Sequence, residues 1–256
     1  MFNIEEFDIK LDTEVIGRNF VYCDEVGSSN RLLLETDEYS KHGTVLLAEF
    51  QSQGRGRKER VWLSNSGQNL TFSILLKEKL KENYINFINL GASLAVAQSI
   101  ENLYQLKVEL KWPNDVLINK KKVAGILLES VSRGNKIDRL VVGIGINVNQ
   151  PSFQSKFEIP PTSIRTEFNE LISRERLLSD ILNNFEQILT TLYHHPTDKI
   201  LSDWKSRCRM IGEKIKIIDG ETVKYGILED INEKGFLVLK QGDKTELIHY
   251  GDVTLR

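Results

Sequence analysis

VELKWPNDVLINKKKVAGILLESVSRGNKIDRLVVGIGINVN, residues 108–149, is the stretch that decides the fold. Segments with strand character follow one another in it, namely VELKW, VLI, VAGILLESV and RLVVGIGINV, with only a few residues between them. Parallel neighbours need a crossover of about a dozen residues or more, so connections this short indicate antiparallel pairing. We therefore predict an antiparallel meander over this stretch.

Further strands and helices are predicted on both sides of the meander. Runs of β-branched and aromatic residues between polar breaks indicate strands, and apolar residues at helical spacing indicate helices. The predicted strands are FVYCDEV (20–26), TVLLAEF (44–50) and NLTFSILLK (69–77), and the predicted helices cover residues 28–35, 84–106, 174–195 and 198–210. Residues 150–163 hold three of the five prolines, which predicts a loop.

The chain changes character after residue 210. IGEKIKII, TVKYGILEDI, GFLVLK and TELIHY are short strand-like runs separated by DG, NEKG and QGDK turns. Strands this short in so small a segment predict a miniature barrel of SH3-like size. The predicted fold class is α+β, with a mixed, largely antiparallel sheet and its helices in a domain at residues 1–210 and the barrel at 211–256.

Composition and charge exclude several classes of protein. The chain has 256 residues, of which 40% are hydrophobic and 27% charged, as in an ordinary globular protein. Lys and Arg total 34 against 36 Asp and Glu, so no overall positive field attracts nucleic acid or an anionic membrane. Cys23 and Cys208 lie far apart, and no apolar run is long enough for a bilayer span. We expect a cytoplasmic protein.

A dense group of cations marks the segment EFQSQGRGRKERVW, residues 49–62. We call residues 54–62 the arginine loop, because it holds Arg55, Arg57, Lys58 and Arg60 with Gly54 and Gly56 between them. Guanidinium groups bind carboxylate or phosphate in a bidentate way, and glycine lets the backbone approach a ligand closely. The loop therefore predicts an anion site, and an exposed, solvated hairpin loop is the alternative left open by charge alone.

The segment KWPNDVLINKKKVAGILLE, residues 111–129, places further cations next to a turn. Lys122 opens the returning strand close to Gly125, where a strand fixes an ammonium group better than a loop does. The GxG pairs at Gly54 and Gly143 each lack the third glycine of a dinucleotide fingerprint and do not lie in a βαβ unit, so we exclude a dinucleotide fold.

GRGRxxRxW followed by KWPNDxxxxxxKxxGIL resembles the biotin protein ligases, the biotin–[acetyl-CoA carboxylase] ligases. The resemblance continues through GIGINVN at 143–149 and the small C-terminal strands. It implies a two-step reaction that uses ATP, Mg²⁺ and biotin. Biotin is first converted to biotinyl-5′-AMP, and the biotinyl group is then transferred to a lysine of the biotin carboxyl carrier protein.

The resemblance also implies roles for individual residues. Biotin contacts fall on Ser28, Ser29, Asn30, Gln51, Arg55, Gly56, Arg57 and Lys122, nucleotide contacts on Arg57, Trp62, Lys111, Asn114 and Asn147, and catalysis on Arg55, Arg57 and Lys122. Ser29 stands where the family has threonine, which keeps the hydroxyl and loses a methyl group. Two structural alternatives stay open, in which Ser28 and Ser29 only cap a helix and Trp62 belongs to the core. The histidines have no ligand-like spacing, so no metal site is predicted.

Other functions remain as rivals. Lipoate ligases and octanoyl transferases resemble biotin ligases in fold and share acyl transfer to lysine, while GRGR and KWPND favour biotin. A biotin-sensing repressor is a second rival, and we expect no specific DNA binding because the first predicted strand begins at residue 20. Homodimerisation through a sheet edge stays open, and no membrane contact is expected.

Overall fold

The computed structural model describes residues 2–78, 81–134, 136–154, 157–194, 197–249 and 251–255. Its helices are α1 (Ile4–Lys10), α2 (Ser29–Glu35), α3 (Ile85–Tyr104), α4 (Ile164–Phe168), α5 (Arg174–His194) and α6 (Asp198–Lys205). Its strands are β1 (Phe20–Val26), β2 (Val45–Gln51), β3 (Leu70–Leu76), β4 (Val108–Lys111), β5 (Asp115–Ile118), β6 (Lys121–Arg133), β7 (Lys136–Ile146), β8 (Lys214–Asp219), β9 (Thr222–Ile231), β10 (Leu237–Gln241), β11 (Lys244–Ile248) and β12 (Asp252–Leu255).

The first sheet has seven strands within the described ranges, in the order β1-β2-β3-β7-β6-β5-β4. Strands β4 to β7 pair with their sequence neighbours in antiparallel register, which confirms the predicted meander. Strands β1 and β2 run parallel, with α2 as the crossover between them. The sheet is therefore mixed and largely antiparallel, as predicted.

Helices cover the sheet in the positions that the apolar periodicity indicated. Helix α3 packs against α5, α6 and the strands β4 to β6, and most of its side chains are buried. Helix α1 was not predicted, because its short sequence IEEFDIK is interrupted by charge. Asn3 caps it by accepting a hydrogen bond from the backbone N–H of Glu6 at 3.1 Å, and the acidic first turn suits the helix dipole.

The second sheet confirms a small all-antiparallel unit at the end of the chain. Its five described strands follow the order β11-β10-β9-β8-β12. Strand β12 was missed because it has only four residues, and Tyr250 of the predicted strand 245–250 lies outside the described residues. Side chains of this sheet, among them Ile215, Leu228 and Ile248, join the same buried cluster as the helices of the first sheet.

Several helix boundaries differ from the predictions. Helix α2 begins at Ser29 rather than at residue 28, and α3 covers Ile85–Tyr104 rather than 84–106, because Gln105 adopts a left-handed conformation that ends it. Helix α6 ends at Lys205 rather than at residue 210, because the chain tightens there into a turn in which the N–H of Cys208 donates to the carbonyl of Lys205 at 2.9 Å. Helix α5 ends at His194, and His195 of the predicted helix lies outside the described residues. No helix in the described ranges combines the length and apolarity that crossing a membrane would take.

Candidate active site

One cavity of about 520 Å³ lies between the first sheet, the arginine loop and the loop after β7. The structure brings every residue of the predicted site to its walls. These are Ser28, Ser29, Asn30, Gln51, Arg55, Gly56, Arg57, Trp62, Lys111, Asn114, Lys122 and Asn147. Residues from α2, β2, the arginine loop and the meander therefore face a common space.

The first turn of α2 forms a neutral, hydrogen-bonding end of the cavity. The backbone N–H of Ser29 donates to Oε1 of Gln51 at 2.6 Å, and its hydroxyl lies 2.6 Å from the hydroxyl of Ser73. Ser28 is the N-cap residue, yet its side chain makes no capping hydrogen bond. The alternative in which both serines only cap the helix therefore does not fit. The Ser29 hydroxyl belongs to the hydrogen-bond network at this end of the cavity, and the Ser28 hydroxyl does not cap the helix.

Asn30 links this end of the cavity to strands β3 and β6 by hydrogen bonds and packs against β7. Its amide group donates to Oε2 of Glu129 at 2.8 Å and accepts from the hydroxyl of Ser73 at 2.6 Å. Glu129 also pairs with Arg55 at 3.3 Å, which ties the arginine loop to the same network. A Cβ atom at Gly143 would lie 2.3 Å from Oδ1 of Asn30, so glycine is required for this approach.

Two lysines share one buried carboxylate at the centre of the cavity. Nζ of Lys122 lies 2.5 Å from Oδ1 of Asp115, and Nζ of Lys111 lies 3.5 Å from Oδ2. Burial works to raise the pKa of the Asp115 carboxyl, but the two ammonium groups hold that pKa below its usual range. Burial also lowers the pKa of Lys111, while Asp115 counteracts the shift. The three side chains together carry one net positive charge.

Trp62 forms a wall of the cavity rather than part of the core. Its indole lies over Gly125 and Gly145, which face each other across β6 and β7, and a Cβ at Gly145 would lie 2.4 Å from Cε2 of the ring. Nζ of Lys122 is 5.9 Å from the ring centroid. In the part of the chain that the structure describes, no acceptor lies within hydrogen-bond reach of the buried Nε1 of Trp62.

Asn114 and Arg57 connect the first sheet to the second. The amide nitrogen of Asn114 donates to the carbonyl of Ile126 at 2.7 Å, and its oxygen accepts from Nη1 of Arg57 at 3.2 Å. Nη2 of Arg57 donates to the carbonyl of Gly251 at 3.1 Å. Burial lowers the pKa of Arg57 and the nearby Asp252 raises it, but guanidinium remains charged at any physiological pH.

The loop after β7 closes the remaining side of the cavity. The N–H of Lys122 donates to the carbonyl of Pro160 at 2.8 Å, and the N–H of Thr162 donates to the carbonyl of Lys122 at 2.9 Å. Asn147 lies beside this bridge, with its side-chain amide 3.5 Å from the carbonyl of Lys122. The same loop places Phe153 on the cavity wall. The loop thereby fixes the backbone of the central lysine.

Comparisons with known proteins agree with this geometry. The Biotin/lipoate A/B protein ligase family matches residues 23–147, and the Biotin protein ligase C terminal domain matches residues 210–256. The Bifunctional ligase/repressor BirA of Bacillus subtilis is 31% identical over 253 residues, covering 98% of this chain and 78% of that relative. The Biotin–[acetyl-CoA-carboxylase] ligase of Paracoccus denitrificans is 31% identical, over 76% of this chain and 83% of the relative.

A solved structure supports the assignment over the whole fold. Biotin protein ligase from Aquifex aeolicus in complex with biotin and ATP is 32% identical, with a TM-score of 0.83, and the similarity covers 93% of this chain and 99% of that one. The chain belongs to the biotin protein ligases. The family and the fold class predicted from the GRGR and KWPND motifs are therefore confirmed, while the ligand contacts of single residues stay predictions.

Sequence reasoning missed several side chains of this biotin protein ligase that line or support the cavity. They are Ser73, Glu129, Phe153, Phe157, Glu158 and Asp252. Glu129 lies only two residues after the GIL of the recognised motif, which is a signal that could have pointed to it. Asp252 had no comparable signal, because it lies on the short strand that was not predicted. Among the residues that the structure describes, no group of three or more His, Cys, Asp and Glu side chains could hold a metal ion.

Proposed function

We propose that this chain activates biotin with ATP to give biotinyl-5′-AMP and transfers the biotinyl group to a lysine of the biotin carboxyl carrier protein of acetyl-CoA carboxylase. One observation carries the proposal: a single cavity joins a neutral hydrogen-bonding end, a cationic centre and an aromatic wall. These match, in order, the ureido ring, the reacting carboxylate with its phosphate, and the nucleotide base. The motifs and the family membership support the same assignment.

The neutral end suits the ureido ring of biotin. That ring offers two N–H donors and one carbonyl acceptor and carries no charge, so hydroxyl and amide groups are the appropriate partners. Ser28, Ser29, Asn30 and Gln51 supply such groups at one end of the cavity. Glu129 pairs with both Asn30 and Arg55, and we propose that it holds the biotin end and the arginine loop in a fixed relation.

The cationic centre suits the adenylation step. A carboxylate oxygen of biotin attacks the α-phosphorus of ATP, the new P–O bond forms, and pyrophosphate leaves with the electron pair of the broken bond. Two anions must approach each other in this step, so positive charge fixed beforehand lowers the barrier. Arg55, Arg57 and Lys122 supply that charge, and Asp115 fixes Lys122 by a 2.5 Å ion pair.

The aromatic wall suits the adenine base. Trp62 offers a flat ring and a buried N–H without a partner among the described residues, and a ring nitrogen of adenine is an acceptor of the right kind. We assign three further residues to the nucleotide, namely Asn114, Asn147 and Lys111. Mg²⁺ enters as part of the MgATP substrate, because Mg²⁺ in such sites is held largely by substrate phosphates and water.

The second step needs no nucleophile from the enzyme. The unprotonated amine of the acceptor lysine attacks the carbonyl carbon of the mixed anhydride, AMP leaves with the electron pair of the broken C–O bond, and the new amide loses a proton. The contribution of the enzyme is to bind both partners and to keep water from the anhydride.

Biotin-dependent exchange of labelled pyrophosphate into ATP tests the adenylation step without knowledge of the acceptor. Wild type should exchange, and Lys122→Ala should lose about a hundredfold or more of the rate, as expected for removal of a preorganised charge. Lys120→Ala is the matched control, because Lys120 is exposed in the adjacent turn. Exchange with lipoate or octanoate but not with biotin would instead favour the lipoate branch of the family.

Three expectations about the surroundings of the protein stay predictions. Cys23 and Cys208 are both free, as is usual in a reducing compartment, and we place the reaction in the cytoplasm. The near-balanced charge gives no general attraction to DNA, and we expect no specific DNA binding. Association into a homodimer is open to a measurement of mass in solution.

A further inference from the structure

The arginine loop is anchored on the second sheet through one carboxylate. Asp252, on β12, lies 3.6 Å from Nη1 of Arg57 and 3.5 Å from Nζ of Lys58, and it forms its closest ion pair with Arg60. The side chain of Asp252 is only 13% exposed, so these contacts are partly shielded from water and salt. Three cations of the loop thus converge on a single residue that lies about 190 positions later in the sequence.

Backbone carbonyls of the second sheet complete the anchor. Nζ of Lys58 donates to the carbonyl of Ile218 at 2.9 Å, and Nη2 of Arg57 donates to that of Gly251. The guanidinium group of Arg57 is therefore fixed between Asn114 of the first sheet and the start of β12. An arginine side chain has many rotamers, so a site that uses one gains from holding it in place before the ligand arrives.

We propose that Asp252 is a positioning residue for adenylation: it holds the arginine loop so that Arg57 presents its charge to the reacting groups. This inference rests on the proposed function. Asp252 makes its closest contact with Arg60 and a longer one with Arg57, whose nearer partners are Asn114 and Gly251. Asp252 thus offsets the charge of the loop mainly through Arg60. Its contact with Arg57 is long enough that Asp252 need not compete with a phosphate for this guanidinium group.

The first test measures the loop itself and needs no activity. Trypsin cleaves after Arg55, Arg57, Lys58 and Arg60, so the rate of cleavage there, mapped by mass spectrometry, reports how firmly the loop is held. Asp252→Asn should raise that rate about tenfold, as loss of a charge-assisted contact implies. Asp230→Asn is the matched control, since it removes the 2.6 Å ion pair to Lys205, which joins the second sheet to α6 and does not involve the loop.

The second test measures the effect on the reaction through pyrophosphate exchange. Asp252→Asn should lower kcat/KM for ATP about tenfold, with the melting temperature within the range of the Asp230→Asn control. Asp252→Glu, which keeps the charge, should recover part of the loss. In an Arg57→Gln background the Asp252→Asn substitution should add little, because its effect acts through Arg57.

The outcomes separate this inference from the proposed function. Two results would overturn the positioning role if wild type exchanges. One is a kcat/KM for ATP in Asp252→Asn that is unchanged or higher. The other is fully additive losses of kcat/KM in the double variant. Absence of exchange in wild type would count against the proposed function and, with it, against a role in adenylation. Equal trypsin rates in wild type and Asp252→Asn would exclude the anchor whatever the exchange assay gives.

Discussion

At the scale of single residues, Asp115 sets the charge at the centre of the cavity. Without it, Lys122 would lose the 2.5 Å partner that fixes its ammonium group, and Lys111 would stay buried without a counter-charge. Burial already lowers the pKa of Lys111, so removing the carboxylate would lower that pKa further. The carboxylate therefore keeps Lys111 charged and holds both lysines in place.

Asp115→Asn should reduce pyrophosphate exchange about a hundredfold, because Lys122 is no longer held. In the pH profile of the exchange rate, the decline at alkaline pH should begin at lower pH in this variant. The reason is that the pKa of Lys111 falls, so its ammonium group is deprotonated at a lower pH. A pH profile of the exchange rate checks both effects. Glu229→Gln, which removes a surface ion pair with Lys240 on the second sheet, serves as the control and should leave the profile unchanged. An unshifted alkaline limb in Asp115→Asn would contradict the charge argument.

At the scale of elements, α2 is held at both ends. Its first turn carries Ser29 and Asn30 into the cavity, and its last carbonyls meet Arg139 of β7. Nη1 of Arg139 donates to the carbonyls of Thr36 at 2.5 Å and Leu34 at 3.3 Å, which satisfies groups that a helix end leaves unpaired. The positive charge at this end also suits the helix dipole.

Arg139→Gln should loosen the far end of α2 and so weaken biotin binding from a distance. We expect KM for biotin in the exchange assay to rise about threefold to tenfold, a cost of about 1 kcal/mol, while KM for ATP stays close to the wild-type value. Arg209→Gln is the control, because its side chain is 50% exposed and pairs with Glu109 on β4. Equal increases in both KM values would point to general destabilisation instead.

A buried ion pair joins β2 to α5. Arg174 donates to both carboxylate oxygens of Glu49, at 2.6 and 2.9 Å, and Tyr22 donates to the same carboxylate at 3.0 Å. Burial works to raise the pKa of Glu49, but the hydrogen bonds and charge of Arg174 hold it below its ordinary value of 4.5. The same environment raises the pKa of Tyr22 to about 12, mainly through burial.

The lowered pKa of Glu49 gives a pH dependence with a definite sign. The unfolded chain binds this proton more readily than the folded one, so the stabilising contribution is complete above the ordinary pKa and is lost as pH falls through the folded value. Glu49→Gln should reduce the free energy of unfolding by about 3–5 kcal/mol near neutral pH, because Arg174 is left buried without its partner.

Urea denaturation at several pH values checks this prediction. The difference between wild type and Glu49→Gln should shrink as pH falls below about 4.5. The double variant Glu49→Gln with Arg174→Met should recover most of the loss, since no buried charge then remains unpaired. A difference that stays constant down to acid pH would show that the ion pair is not its source.

At the scale of the whole molecule, the two sheets share one buried core. Ile217 and Leu239 of the second sheet belong to the same cluster as Leu90 and Ile144. The indole N–H of Trp112 donates to the carbonyl of Gly235 at 3.2 Å, which adds a polar link between the two parts. The sequence change after residue 210 therefore need not coincide with an independent folding unit.

Calorimetry should show a single unfolding transition for the intact chain. A shared core melts as one unit when neither part keeps its apolar surface covered alone. Agreement between the calorimetric and van't Hoff enthalpies would support this expectation. Two resolved transitions would instead support separate domains at residues 1–210 and 211–256.

Much of this architecture was predictable from the sequence because it depends on local signals. Strand alternation and short connections predicted β4 to β7. The resemblance recognised from the GRGR and KWPND motifs named the residues that line the cavity. The parallel pairing of β1 with β2 was not predictable, since periodicity does not name the partner of a strand. Asp252 was missed for a similar reason, because its contacts exist only once the second sheet packs beside the arginine loop.

Strand β7 also limits how the distance between the two ends of the cavity can change. Gly143 admits Asn30 at the proposed biotin end and Gly145 admits Trp62 at the proposed nucleotide end, two positions apart on one strand. The pleat sets these two openings roughly 7 Å apart, a spacing that loop movements do not alter. Mutations in the loops leave this spacing unchanged, so a different separation would require moving one of the two openings by two residues along the strand, because only alternate residues share a face. The residue repeat of β7 therefore fixes the distance between the Asn30 contact and the Trp62 contact.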